Sequence, residues 1–413
     1  MNDTKNNCMI AQSGGPTAVI NSSVYGCIKE FISLNGSATA YAGLYGIQGI
    51  LENKFVNADA LPTESLKRLP AAALGSSRYQ LKDFHQDDNE YKRLIEIFQS
   101  HGIRYFFYIG GNDSMDTADK IYDYSRASGL DLCVCGIPKT VDNDLALTDH
   151  CPGFGSAAKF IATAGLEIWF DINTFQKASV MVLEVMGRDA GWLAAAASIL
   201  ESIFPEINML VYLPEKPFDI QSFLEDVNHA LVRKNKLLIF ISEGIKDRNG
   251  EYIGSRKNGY DKDDFGHRQL GGAGKLLQRE LKRKLLKEVK LTEFGVLQRC
   301  SMHCVSRPDI REAEMAGRQS VRYAMSGKNG FMTALKRNGW RESGYECSTE
   351  PVALKDVSNR VHHVPENWIL ENGKCNNHRI FEYALPLMFD NKEFDGWKSL
   401  NWMTASNLLH SLK

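Results

Sequence analysis

The sequence predicts an α/β protein of two lobes, each built on a parallel-rich sheet. Three observations carry this. A chain of 413 residues is too long for one ordinary hydrophobic core. Apolar runs recur along it, each ending in a glycine-rich or charged loop and then a stretch with helical spacing. Strands that alternate with helices pair in parallel through right-handed crossovers and are covered on both faces.

Taken in order, Met9-Ile10-Ala11 leads to Ser13-Gly14-Gly15-Pro16 and a helix from Val19 to Phe31. The run from Tyr105 to Ile109 leads to Gly110-Gly111-Asn112-Asp113-Ser114 and a helix to about Ser125. The run from Leu132 to Ile137 reads as a buried strand with Cys133 and Cys135 in the core; it leads to Pro138-Lys139-Thr140-Val141-Asp142-Asn143-Asp144. Val180 to Val185 leads to Met186-Gly187-Arg188-Asp189-Ala190-Gly191 and an alanine-rich helix, and Leu237 to Ile241 leads to Ser242-Glu243-Gly244. Leu277, Leu281 and Leu285 share one face of a helix whose basic run, Lys282-Arg283-Lys284, reads as solvated. Residues 247–268 read as a polar excursion, and 345–413 show weak periodicity.

Composition narrows the class. Apolar content of 43%, charged content of 24% and a net charge of -1 suit a soluble globular enzyme. No block of like charge points to a nucleic-acid or membrane partner, and no apolar stretch has the length of a membrane span. The polar stretch Met1 to Asn7 lacks an apolar signal core. Nine scattered cysteines argue against a disulfide framework and for a reducing cytoplasm. Cys300, His303 and Cys304 have no second Cys/His pair at zinc-like spacing and read as packed rather than ligating.

The chemistry is concentrated in the loops. Pro138–Asp144 gathers two carboxylates, an amide, a hydroxyl and a lysine at a strand's end, where open α/β sheets bind ligands. A carboxylate beside a lysine there suits proton abstraction next to a bound anion. The competing reading of Asp142 and Asp144 is a helix N-cap and a first-turn acid. Ser13-Gly14-Gly15 and Gly110–Ser114 can turn backbone N–H groups toward phosphate, although either turn alone is equally explained by a need for positive φ. Gly271–Lys275 lacks the spacing and the following Ser/Thr of a Walker motif, and Pro16 and Thr17 break the dinucleotide fingerprint after Gly14-Gly15. Arg78, Arg188 and Arg299 each sit in a loop suited to bidentate phosphate contact. A lone arginine is more often a surface ion pair; three of them among such turns shift the balance.

Together these residues carry a resemblance. Ser13-Gly14-Gly15, Gly43-Leu44-Tyr45-Gly46, Leu74-Gly75-Ser76-Ser77-Arg78, Gly110-Gly111-x-x-Ser114, Pro138-x-Thr140-Val141-Asp142-Asn143-Asp144, Met186-Gly187-Arg188 and Leu297-Gln298-Arg299 occur in the order seen in phosphofructokinases, over about residues 8–325. Within that family the chain resembles the pyrophosphate-dependent branch. ATP-using members place glycine where Asp113 and Lys139 stand. An Asp113 side chain would fill the space of the α-phosphate and repel it, whereas Lys139 would offer a point charge to compact pyrophosphate.

The resemblance implies two Rossmann-like three-layer lobes. Residues 1–155 plus about 299–345 would bind pyrophosphate, and 156–298 plus about 346–413 the sugar phosphate, with the site in the cleft. It implies reversible phosphoryl transfer from pyrophosphate to the C1 hydroxyl of fructose 6-phosphate. Asp142 would be the general base, assisted by Asp144, with Thr140 near the acceptor. Lys139, Arg78, Gly14, Gly15, Gly111, Asp113 and Ser114 would surround the diphosphate. Met186, Gly187, Arg188, Glu243 and Arg299 would hold the sugar phosphate, with Thr140 beside them. Mg²⁺ would bridge pyrophosphate oxygens, with Asp113 or Asn112 at the position of the family's metal-linked aspartate; an amide is the poorer hard-cation ligand. Val296 replaces a sugar-phosphate histidine of the ATP enzymes. Ser179, with Lys177 nearby, and Lys290 fall where a neighbouring subunit supplies arginines, which implies a homodimer or homotetramer. The alternatives are ATP as donor, a larger ketose phosphate such as sedoheptulose 7-phosphate as acceptor, or a non-catalytic sugar-phosphate-binding subunit; the intact Asp142 stands against the last.

Overall fold

A computed structural model describes residues 6–254, 270, 272–285, 288–341, 344–370 and 375–398. Among these the chain forms two compact units. The first runs to Gly153 and resumes over Asp309–His362; the second starts at Phe154, continues to Pro308 and resumes at His363. This division moves two sets of residues relative to the sequence-derived one: 154–155 and 299–308 group with the second unit, and 346–362 with the first. The second shift has a plain cause, because a long antiparallel hairpin ties 344–353 to the first sheet.

The strands are β1 (Asn7–Gln12), β2 (Ala40–Gly43), β3 (Phe55–Asn57), β4 (Ile103–Gly110), β5 (Cys133–Pro138), β6 (Ser179–Val185), β7 (Met209–Tyr212), β8 (Lys236–Ser242), β9 (Glu288–Glu293), β10 (Phe331–Arg341) and β11 (Gly344–Ala353). The first unit holds a sheet of order β11-β10-β5-β4-β1-β2-β3, parallel except for the edge pairs β10–β11 and β2–β3. The second holds the all-parallel sheet β7-β8-β6-β9.

The central strands read as unbroken apolar runs because both faces of the sheet are covered. In the first unit Cys8, Ile10, Phe107, Cys135 and Ile137 pack in one buried cluster, and their alternates Met9, Ala11, Phe106, Tyr108 and Val134 in another. The alanine-rich helix after Gly191 is instead two short helices, Trp192–Ala196 and Ile199–Ile203. The excursion after Asp247 begins with a turn closed by a Lys246–Tyr252 bridge, and its remainder, 255–268, lies outside the described residues. All nine cysteines are free thiols, and no described helix is long and apolar enough to cross a membrane.

Sheet topology dictates where ligands can sit. β1 has β2 on one side and β4 on the other, so strand order reverses between them. The crevice beyond the carboxyl ends of strands at such a point is the binding position of open α/β sheets. The loops after β1, β4 and β5, three neighbouring strands, open there.

A buried charge network anchors this region. His150 is 2% exposed, and its Nδ1 and Nε2 lie 2.7 and 2.8 Å from the carboxylates of Asp149 and Glu312. Asp149 also accepts from the Arg337 guanidinium at 3.1 Å. With a carboxylate on each ring nitrogen, both nitrogens donate and the ring is an imidazolium. Burial opposes that charge, but Glu312 and Asp149 outweigh it and hold the His150 pKa up to about 9. The Cys347 thiol lies near His150 and Glu312; with both ring nitrogens protonated, the imidazole offers no lone pair to a cation.

The sign of the pH effect follows. A histidine with pKa raised from 6.5 to about 9 contributes stability that is full below about 6.5 and is lost as pH rises through about 9. Melting temperatures between pH 7 and 10 should therefore fall more steeply for the native protein than for His150→Gln. Identical slopes would refute the charged ring.

Candidate active site

The β1 turn is built from below by amides. Gln12 donates to Asn21 Oδ1 at 2.8 Å and accepts the Leu74 N–H at 2.9 Å, while Asn21 Nδ2 reaches the carbonyls of Leu69 and Ala71. This holds 69–77 against the turn. Ser76 Oγ donates to Gly14 O at 2.6 Å, and Gly14 N donates to Ser77 O at 3.2 Å. The exposed Arg78 thus follows directly on the residue that pairs with Gly14.

The β4 turn enters the helix Asn112–Ala127 through Gly111. Gly110 is required there, since a Cβ would lie 2.0 Å from Ser114 Oγ. Ser114 is buried, with its hydroxyl against Gly110. Asp113 stands half-buried in the first helical turn, where N–H groups and the helix dipole favour an anion.

Lys139, only 3% exposed, joins the three turns. Its backbone N–H donates to Gly110 O at 3.0 Å, and its Nζ donates to Gly15 O at 2.6 Å. Gly14 takes the left-handed conformation that favours glycine, φ +73°, with its Cα side facing that amine.

The helix that follows the β5 loop does not begin until Phe154, well past Asp142 and Asp144, which removes their N-cap reading. The loop folds back on itself. Thr140 N donates to Pro152 O at 3.2 Å, Thr140 Oγ1 accepts from Asp142 N at 3.1 Å, and Asn143, at φ +57°, accepts the Cys151 N–H at 2.8 Å. Gly153 N donates to Asp309 Oδ1 at 2.8 Å. Asp142 and Asp144 are half-buried, each with one carboxylate oxygen shielded from water. The arrangement presents two carboxylates on a braced loop next to a lysine.

The metal-linked position departs from a ligand geometry. Asn112 Oδ1 accepts the Asn359 N–H at 2.8 Å and its Nδ2 donates to Arg360 O at 2.7 Å. Of the two residues considered for a cation, Asp113 is the one with a charged carboxylate, the stronger hard-cation ligand, while the Asn112 amide oxygen is taken by Asn359 N–H.

In the second unit the loops after β6, β8 and β9, again adjacent strands, carry the remaining candidates. Met186 N donates to Gln298 Oε1 at 3.0 Å, which couples the β6 loop to the short helix Leu297–Cys300 that holds the half-buried Arg299. Gly187 O accepts from Ser242 Oγ and from Gly244 N, so Arg188 and Glu243 share one hydrogen-bonded turn. Burial, with Glu184 nearby, pushes the Glu243 carboxyl up to about 7, against the pull of Arg188 and Arg299. Lys290 lies apart from these: it is exposed, 3.6 Å from Glu288, in register with Met181 rather than at the carboxyl end of β6. Gln298 and Ser242 stand in motifs visible in the sequence and Asn21 does not; the bracing role of all three has no sequence signal beyond a polar type beside a turn.

Residues 7–319 match the family profile described as PFK, Phosphofructokinase. The chain is 38% identical over 390 residues to the pyrophosphate–fructose 6-phosphate 1-phosphotransferase of Halomonas elongata, covering 93% of this chain and 92% of that protein. It is 37% identical, with the same coverage, to the protein of that name from Xanthomonas campestris pv. campestris. The crystal structure of a pyrophosphate-dependent phosphofructokinase from Nitrosospira multiformis matches with a TM-score of 0.84 at 35% identity, over 93% of this chain and 92% of that one. The matched span runs from β1 to the helix Arg307–Met325 and takes in every turn described above; the chain belongs to the phosphofructokinase family.

Proposed function

We propose that the protein reversibly transfers a phosphoryl group from pyrophosphate to the C1 hydroxyl of fructose 6-phosphate, giving fructose 1,6-bisphosphate and phosphate. The observation that carries this is Lys139. Its buried amine reaches into the Ser13–Gly15 turn, and Asp113 stands in the helix turn joined to it through Gly110. That space suits a compact diphosphate and opposes a nucleotide.

In this reading Asp142 takes the proton from the C1 hydroxyl as that oxygen attacks in line, and Asp144 orients the acceptor or balances charge. Thr140 positions the acceptor. Lys139, Arg78 and the N–H groups of Gly15 and Gly111 stabilise charge on the phosphoryl oxygens, while the Gly14 N–H is held by Ser77 O and shapes the turn. Met186, Gly187, Arg188, Glu243 and Arg299 hold the sugar phosphate. Asp113 would hold magnesium, whose chemistry when bound is neutralisation of charge on the pyrophosphate oxygens. The position of Lys290 fits a residue lent to a neighbouring copy, which supports at least a dimer. A cytoplasmic setting suits the free thiols.

A coupled assay with magnesium tests the reaction: turnover with pyrophosphate is expected, and turnover with ATP alone would overturn it. Glu243 supplies a second check. A phosphate dianion placed against Arg188 and Arg299 cancels the charges that lower the Glu243 pKa of about 7. Fructose 6-phosphate binding at pH 7 should therefore take up more protons in the native enzyme than in Glu243→Gln, as read by calorimetry in buffers of different ionisation enthalpy. Equal uptake would remove Glu243 from contact with the ligand's field.

A further inference from the structure

The residues after the β10–β11 hairpin cross back over both catalytic turns. The short helix Leu354–Val357 packs its Leu354 beside Gly136 of β5, and the chain then enters a left-handed turn at Asn359, φ +58°. From there two sets of bonds diverge. On one side, Asn359 N donates to Asn112 Oδ1 at 2.8 Å, Asn112 Nδ2 donates to Arg360 O at 2.7 Å, and Asn359 Nδ2 donates to Asp116 at 2.9 Å. On the other, His362 N donates to Asp144 O at 2.8 Å, and Val361 bridges Leu145. Four consecutive residues, 359–362, thus join the first turn of the helix Asn112–Ala127 to the Asp142–Asp144 loop.

The chemistry of that joint selects an amide. Asn112 gives one donor and one acceptor to adjacent backbone groups, as a strand neighbour would, and an ionised aspartate has acceptors only. An aspartate at 112 would set a carboxylate oxygen against the Arg360 carbonyl, breaking the joint it now makes.

We propose that Asn112 is a positioning residue, not a magnesium ligand: through the strap 359–362 it fixes the diphosphate turn relative to the general-base loop. This rests on the phosphotransfer reading given above. The amide at 112 then serves the strap, with the cation left to Asp113.

The test compares Asn112→Asp, Asn112→Ala and Asn359→Gly with the native enzyme, after the native enzyme has been shown to turn over pyrophosphate and fructose 6-phosphate. A native enzyme without that turnover rejects the reaction and not the joint, because hydrogen exchange reads the joint without substrate. In Asn112→Asp we expect kcat to drop roughly 10- to 100-fold, the scale of a misplacement of about 1 Å between reacting groups. The magnesium concentration for half-activation and the melting temperature should stay near native values. Amide exchange in the peptide containing 359–362 should rise. Asn112→Ala should show the same pattern, and Asn359→Gly, which keeps the left-handed turn and the backbone bonds, should stay near native. Tighter magnesium activation in Asn112→Asp with kcat retained would overturn the proposal, as would unchanged exchange at 359–362 in both Asn112 variants. If Asn112→Asp does not fold, Asn112→Ala decides by the same readouts.

Discussion

Replacing Asp142 with asparagine should lower kcat by roughly 10²–10⁴-fold, the usual weight of a general base, while the KM values for pyrophosphate and fructose 6-phosphate change far less. The substitution is isosteric, and the loop is braced by bonds that do not use the Asp142 carboxylate: Thr140 to Pro152, Asn143 to Cys151 and Gly153 to Asp309. Loss of rate with retained binding would isolate proton removal from positioning. A near-native kcat would reject Asp142 as the base and move attention to Asp144.

The second large effect concerns the donor. Lys139→Gly should raise the pyrophosphate KM by roughly 10- to 100-fold, the expected loss for a charged hydrogen bond. It also removes the amine from Gly15 O and so opens the space beneath the Ser13–Gly15 turn. Adding Asp113→Gly removes the carboxylate in the helix turn that repels an α-phosphate. The double variant should then show ATP-dependent turnover above that of the native enzyme. No gain with ATP would place donor selection in other residues.

Much of this was legible in sequence, for a physical reason. β1, β4, β5, β6 and β8 are buried on both faces, so they spell continuous apolar runs, and their ligand turns are marked by glycine and charge. Of the strands outside that set, β7 is apolar but only 4 residues long, and β2, β3, β9 and β11 lack the signature. β2 is Ala-Tyr-Ala-Gly, β3 has 3 residues, and β9 alternates exposed and covered positions. β11, at the sheet edge, carries Glu346, Ser348, Thr349 and Glu350, a polar pattern that mutes its period.

The site divides in the same way. Asp142, Lys139 and Arg188 declare themselves within short motifs. Their supports do not, because the partners are distant in sequence: Gln298 reaches Met186 across 112 residues, His150 reaches Glu312 across 162, and Asn112 reaches Arg360 across 248. Such pairs are chosen by the fold, and a single sequence carries no mark of them. Asn112 shows the cost, since its place in a motif suggested a metal and its bonds belong to the backbone of a later segment.

Those long spans also set an order of events. The loop bearing Asp142 ends at Gly153, yet the groups that lock it are Asp309, Glu312, Leu335, Arg337 and His362. A ribosome delivers the chain from its N-terminus, so the whole 154–308 stretch of the second unit is made while that loop still lacks its clasps. A nascent or truncated chain ending before 309 lacks every one of these later partners of the loop. The full set of bonds around the Asp142 loop is thus complete only once the chain has been made through His362.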